Sequence, residues 1–206
     1  MRKFVITAFF FFIQVEQLIL PLSKSTFANN IFVTTRKERN VLSANFYVKQ
    51  GINKGKNGNY KEAIIAFSQA ILTDKFNSIA YYNRGFARMN LNNYEGAIAD
   101  YDKAIAINPE YAIAYFNRGV TKYHLDDYQG AIFDYSKSIE INIDDADSYL
   151  NRGLIYFEIG NDKFACKDFK KAASLGNQFS ASWLNSHKGK WCLKSSTDVK
   201  SVFLFH

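Results

Sequence analysis

Between Ala44 and Asn177 the apolar, aromatic and small residues fall into short stripes at helical spacing, and the stripes come in pairs. Tyr81, Arg84, Gly85 and Arg88 stand at i, i+3, i+4 and i+7, which is one face of a helix. Ala97, Tyr101 and Ala104 form a second stripe after the polar turn Leu91-Asn92-Asn93. Leu125-Asp126-Asp127 sits at the same place one unit later, and each pair of stripes predicts two antiparallel helices joined by a tight turn. Asn108-Pro109 marks the end of a second helix, because proline disfavours helical backbone in the residue before it.

The pairs repeat with a period of 34 residues and no insertion. Tyr81-Tyr82-Asn83-Arg84-Gly85 aligns with Tyr115-Phe116-Asn117-Arg118-Gly119 and with Tyr149-Leu150-Asn151-Arg152-Gly153, while Tyr47 to Gly51 is a weaker fourth copy. Twelve residues after each glycine stands Ala63, Ala97, Ala131 or Ala165, and four later an aromatic, Phe67, Tyr101, Tyr135 or Phe169. Glycine inside a helix costs about 1 kcal/mol relative to alanine. Four at one register imply close approach, a glycine on one helix facing an alanine on its partner so that the aromatic side chains interlock.

This unit resembles the tetratricopeptide repeat, which carries an aromatic at its fourth position, Gly at its eighth and Ala at its twentieth. The resemblance covers residues 44–177 as four repeats, 44–77, 78–111, 112–145 and 146–177, and implies an all-α, right-handed superhelical array of antiparallel helix hairpins. A half repeat with Trp183 in the fourth position continues it, and residues 178–194 read as a capping helix over the last hairpin. With Trp191, Trp183 could alternatively form an aromatic ligand platform. Asp162 replaces the tyrosine found at Tyr60, Tyr94 and Tyr128, so a looser turn is expected in the fourth repeat.

One departure from the family pattern repeats itself. The seventh position, usually aliphatic, holds Arg84, Arg118 and Arg152, and each is accompanied by an aspartate in the second helix, Asp100, Asp134 and Asp168. The first repeat has Gln50 and Ala66 instead, so both charges appear together or not at all. The pattern predicts partly buried ion pairs joining two helices, within a hairpin or across to its neighbour; independent surface charges are the alternative.

By the resemblance, the first helices of the repeats line a concave groove. Its positions are filled by Tyr82, Phe116 and Leu150, by Phe86, Val120 and Leu154, and by Met89, Tyr123 and Phe157. Asn83, Asn117 and Asn151 run along the centre, similar to the asparagine ladder of some tetratricopeptide superhelices. An amide both donates and accepts, so repeated asparagines can hold a peptide backbone with little regard to its sequence. The alternative is that they solvate the helices while the aromatics pack between repeats. The family's carboxylate clamp needs lysines and an arginine where this chain has Val48, Ile113 and Asn117, and recognition of acidic chaperone tails is not expected.

Charge changes the picture at the ends of the chain. The 206 residues carry a formal +7, but residues 44–177 hold sixteen basic and sixteen acidic side chains, so the excess belongs to the flanks. A neutral body lacks the cationic face that phosphate binding needs, and no nucleic-acid partner is expected. Met1-Arg2-Lys3, an apolar run from Phe4 to Ile13 and the closing Thr26-Phe27-Ala28 read as a signal peptide over residues 1–28. An uncleaved anchor over residues 4–22 is the alternative, though it would put Glu16 in the bilayer. Residues 29–43 are a basic linker or helix extension, and residues 195–206 a tail. Either reading exports the body to a periplasmic, lumenal or secreted location, and a membrane contact follows only from the uncleaved form.

Export would allow Cys166 and Cys192 to pair, although Cys166 beside Ala165 also fits a buried thiol. His124, His187 and His206 are dispersed, no cysteines have metal spacing, and Gly51 to Lys56 has the wrong interval for a phosphate loop. No catalytic residue, metal or cofactor is expected. The resemblance, together with a body lacking catalytic groups, implies a non-catalytic module that binds a protein or peptide as an exported adaptor or scaffold. Its alternative is a passive component of an envelope or membrane assembly.

Overall fold

The computed structural model describes the backbone of residues 24–186 and 189–194, and all regular structure among them is helical. The helices are α1 (Lys24–Lys56), α2 (Tyr60–Thr73), α3 (Ser78–Met89), α4 (Tyr94–Ile107), α5 (Ala112–Tyr123), α6 (Tyr128–Ile141), α7 (Ala146–Glu158), α8 (Asp162–Ser174), α9 (Gln178–Asn185) and α10 (Lys190–Lys194). Two compact units divide the chain, Met1–Ser43 and Ala44–His206. The described part of the first is the leading stretch of α1, where Val33 and Leu42 are exposed beside charged residues. The apolar segment over residues 4–22 lies outside the described residues. Among those described, no helix is long and apolar enough to cross a membrane.

The second unit is a solenoid of stacked helical hairpins, each second helix packing on the first helix of the next repeat. The hairpin turns share one backbone device. Gly58, Asn92, Asp126 and Gly160, spaced by 34, all have positive φ between 58° and 77°. These are the residue types that enter the left-handed region at least cost. Two residues before each positive-φ position, Lys56, Asn90, His124 and Glu158 end or follow a first helix, and the next helix starts after a capping residue. Asn93 and Asp127 accept from the N–H groups of Gly96 and Gly130 at 3.0 and 2.9 Å, satisfying donors that the helix starts leave unpaired. The expected loosening of the fourth turn does not occur. Asn161 N–H donates to Tyr156 O at 2.7 Å, as Asn93 does to Arg88 O at 2.9 Å, because Gly160 supplies the turn geometry without the tyrosine.

The core consists of small residues against rings. Ala97, Tyr101, Ala104, Ala131, Ala165 and Phe169 are fully buried. Gly85 lies so near the facing helix that an added Cβ would stand 2.9 Å from the Tyr101 ring and 3.1 Å from the Ala97 carbonyl oxygen.

The cap differs from a single helix over 178–194. It is α9 and α10, separated at Ser186, whose extended backbone (ψ 166°) ends α9. The Ser186 hydroxyl donates to Trp183 O at 2.6 Å and accepts from Gly189 N–H at 3.2 Å, offering the backbone partners that replace a further helical turn. Trp183 packs on Phe169 and Phe157, with ring centroids 4.4 and 5.4 Å apart, which covers the last hairpin. The Trp191 side chain lies outside the described residues. A disulfide joins Cys166 of α8 to Cys192 of α10, with Cα atoms 5.6 Å apart, and ties the cap to the fourth hairpin.

Candidate functional site

The arginines and aspartates picked out by the repeat comparison meet inside their hairpins. Arg84 donates from Nε and Nη2 to both Asp100 oxygens at 2.9 and 2.6 Å, Arg118 to Asp134 at 2.9 and 2.6 Å, and Arg152 to Asp168 at 2.8 and 2.8 Å. The aspartates are buried and the arginines nearly so, each guanidinium lying over the tyrosine three residues earlier at 5.4–5.6 Å. The fork-on-carboxylate arrangement is the geometry for which guanidinium is suited.

Each arginine also reaches backwards by sixteen residues. Nη1 of Arg84 donates to Ser68, that of Arg118 to Asp102 and that of Arg152 to Ser136, at 3.1, 2.5 and 2.8 Å. One side chain thus links its own hairpin and the second helix of the preceding repeat; the arginine–aspartate pairs singled out by the repeat comparison lie within hairpins, and the reach across goes to other residues. Arg88 and Lys122 add a second cation to Asp100 and Asp134 at 2.7 and 2.8 Å, whereas the fourth repeat has Tyr156 there. Burial opposes the Arg118 charge, but Asp134 and Asp102 more than offset it and raise its pKa.

The expected groove residues separate into two groups. Tyr82, Phe116, Leu150 and Val120 are half-buried and pack between helices: Tyr82 lies 5.1 Å from Tyr111 and 6.0 Å from Tyr101, and Phe116 lies 5.6 Å from Tyr135. Phe86, Leu154, Tyr123 and Phe157 stay open, each 37–39% exposed, and Met89 is intermediate.

The three asparagines are not equivalent. Asn83 and Asn151 each donate to the carbonyl one turn back, at 2.8 Å, and stay partly exposed. Asn117 is buried and commits both amide hydrogens, one to Ile113 O at 3.1 Å and one to the Tyr82 hydroxyl at 3.0 Å. An unbroken ladder of three free amides is therefore not present. The cause is Tyr82, whose pKa rises to about 12 through burial and the adjacent Tyr111, opposed by the Asn117 bond.

Among the described residues no three His, Cys, Asp or Glu side chains gather as a metal site. The backward reach of the arginines escaped the sequence reading because its acceptors differ in chemistry. Its signal was present, since Ser68, Asp102 and Ser136 themselves recur every 34 residues.

The family comparisons agree with this architecture. The pattern described as TPR repeat matches residues 87–126 and 122–160, and that described as Tetratricopeptide repeat matches residues 146–177. The chain carries tetratricopeptide repeats. Among solved structures this repeat protein is similar to MamA, with 28% identity, 67% of this chain and 81% of that one covered, and a TM-score of 0.63. It is also similar to the first repeat domain of Spaghetti (RPAP3) bound to an HSP90 peptide, at 25% identity, 58% and 95% coverage and a TM-score of 0.57. The human RPAP3 domain solved by NMR matches at 25% identity, 59% and 95% coverage and a TM-score of 0.56. No curated protein matches the tetratricopeptide chain.

Proposed function

We propose that this tetratricopeptide protein is an exported, non-catalytic adaptor or scaffold that holds an extended segment of a partner protein along the first helices of its repeats. The observation that carries the reading is the row of open apolar side chains Phe86, Tyr123, Leu154 and Phe157 on α3, α5 and α7, flanked by the accessible amides of Asn83 and Asn151. Such a face supplies apolar contact, and two amides that can bond a peptide backbone. RPAP3, which shares the fold, was solved with a peptide in place. The ligand class here is different from an acidic tail held by a carboxylate clamp, since Val48, Ile113 and Asn117 stand where that clamp needs cations. Export is proposed from the basic start, apolar run and small residues of the amino terminus.

The test is an array of extended peptides probed with the purified chain. Binding should fall at least tenfold in F86A/L154A and less steeply in N83A/N151A, with the melting temperature little changed. Equal binding by all three proteins would reject the groove, and recovery of the protein only from unfractionated cytosol would reject export.

A further inference from the structure

Where α1, α2 and α3 meet, the packed body opens into a cavity of about 330 Å³. Its lining includes the buried Phe67 together with Gly51, Gly55, Lys56, Asn83 and Phe86.

The cavity has a cause in the sequence. In the later repeats the twelfth position carries Met89, Tyr123 and Phe157, and each side chain leans on a neighbour with one flank. Met89 Sδ meets the Tyr101 hydroxyl at 4.0 Å, the Tyr123 ring packs 5.7 Å from Tyr128 while its hydroxyl donates to Glu158, and Phe157 packs 5.4 Å from Trp183. The first repeat has Gly55, and a Cβ added there would meet nothing within 4 Å. The neighbouring amide is also open. Val48 stands where the next repeat has Tyr82, so Asn83 lacks the hydroxyl partner of Asn117 and bonds only to Ile79 O among the described residues.

The charge at this end is positive. Lys56, and Lys49 seven residues earlier on the same helix face, are exposed and form no ion pair among the described residues, whereas Asp147 and Glu158 stand on the first helix of the fourth repeat.

We propose that this cavity receives one large apolar side chain, aromatic or leucine, from the partner segment, with an acidic residue beside it facing Lys49 and Lys56. The proposal rests on the groove reading above and adds the anchor and the polarity of the bound segment. An apolar cavity of roughly 150 Å³ already accommodates benzene, so the volume here suffices for a phenyl or isobutyl group. Asn83, at the wall, is placed to bond the backbone next to the anchor.

The probe is an array of blocked hexapeptides whose centre is Phe, Leu or Ala and whose flanks are Asp, Gly or Lys. The full chain should prefer Phe or Leu over Ala at the centre and Asp over Lys at the flank. Gly55→Met, which installs the residue of the second repeat, should weaken the Phe-centred, Asp-flanked peptides at least tenfold while the melting temperature stays or rises. Lys49→Glu with Lys56→Glu should transfer the preference to Lys flanks. Undiminished binding by Gly55→Met, or no preference for Phe and Leu over Ala in the unaltered chain, overturns the anchor. If the peptides in that case still lose affinity in Y123A/L154A, whose two residues lie outside the cavity, the groove stands without this pocket. If no peptide binds the unaltered chain, both readings fall.

Discussion

Asp134 is fully buried and receives the Arg118 guanidinium on both oxygens, at 2.9 and 2.6 Å, with Lys122 Nζ at 2.8 Å on one of them. Removing the carboxylate leaves two cations next to an apolar interior. Asp134→Ala should cost about 3–5 kcal/mol. Arg118→Met with Asp134→Leu should cost less than the single change, since one cation, Lys122, is left without the carboxylate instead of two. Urea unfolding of the two single variants and the double variant measures the coupling, and additive costs would refute it.

Gly85 and Gly55 should respond to alanine with opposite signs. At Gly85 the new methyl meets the Tyr101 ring and the Ala97 carbonyl, and the overpacking is expected to cost about 1–3 kcal/mol. At Gly55 it meets open space, and the helix gains about 1 kcal/mol. Denaturant midpoints of Gly85→Ala and Gly55→Ala on either side of the unaltered chain would show it.

The asparagines separate by stability as well as by position. Asn117→Ala leaves the half-buried Tyr82 hydroxyl without its donor and should cost about 1 kcal/mol. Asn83→Ala and Asn151→Ala should stay within about 0.5 kcal/mol of the parent, as surface changes do. A thermal melt of each variant decides whether the three behave as one set or as two.

Alkaline pH should unfold the protein through its tyrosines. Burial pushes the Tyr82 phenol up to about 12 and raises those of Tyr101 and Tyr135 as well, while an unfolded tyrosine titrates near 10.0. Between about pH 10 and 12 the unfolded chain therefore gives up protons that the folded chain keeps. Stability is unaffected by these groups below pH 10 and declines as pH rises through that window. Denaturant midpoints across this range, with ultraviolet titration of the phenols, should show the loss and a late-ionising class; a flat profile would contradict the burial assigned to Tyr82.

What could be read from the sequence followed the period. The 34-residue shift exposes the glycine, alanine and ring positions together, and it exposes Arg118 with Asp134 because the fixed spacing places both on facing helices. Contacts whose partners change identity were harder to see. Ser68, Asp102 and Ser136 fill one role with two chemistries, so the repeat comparison does not single them out. The burial of Asn117 depends on Tyr82, 35 residues away, and the same asparagine beside Val48 or Phe116 in the adjoining repeats remains accessible. The break in the cap follows from a local competition at Ser186 that helical periodicity does not register.

The backward hydrogen bonds of Arg84, Arg118 and Arg152 have a further consequence for the energetics of recognition. Apolar surfaces tolerate sliding, but a charged fork held on one helix and tethered to another has narrow angular freedom. Successive hairpins from the first repeat to the fourth are consequently fixed in their mutual rotation before any ligand arrives. A partner segment bound as proposed would meet a preorganised surface, and the entropy lost on association would fall mainly on the segment itself.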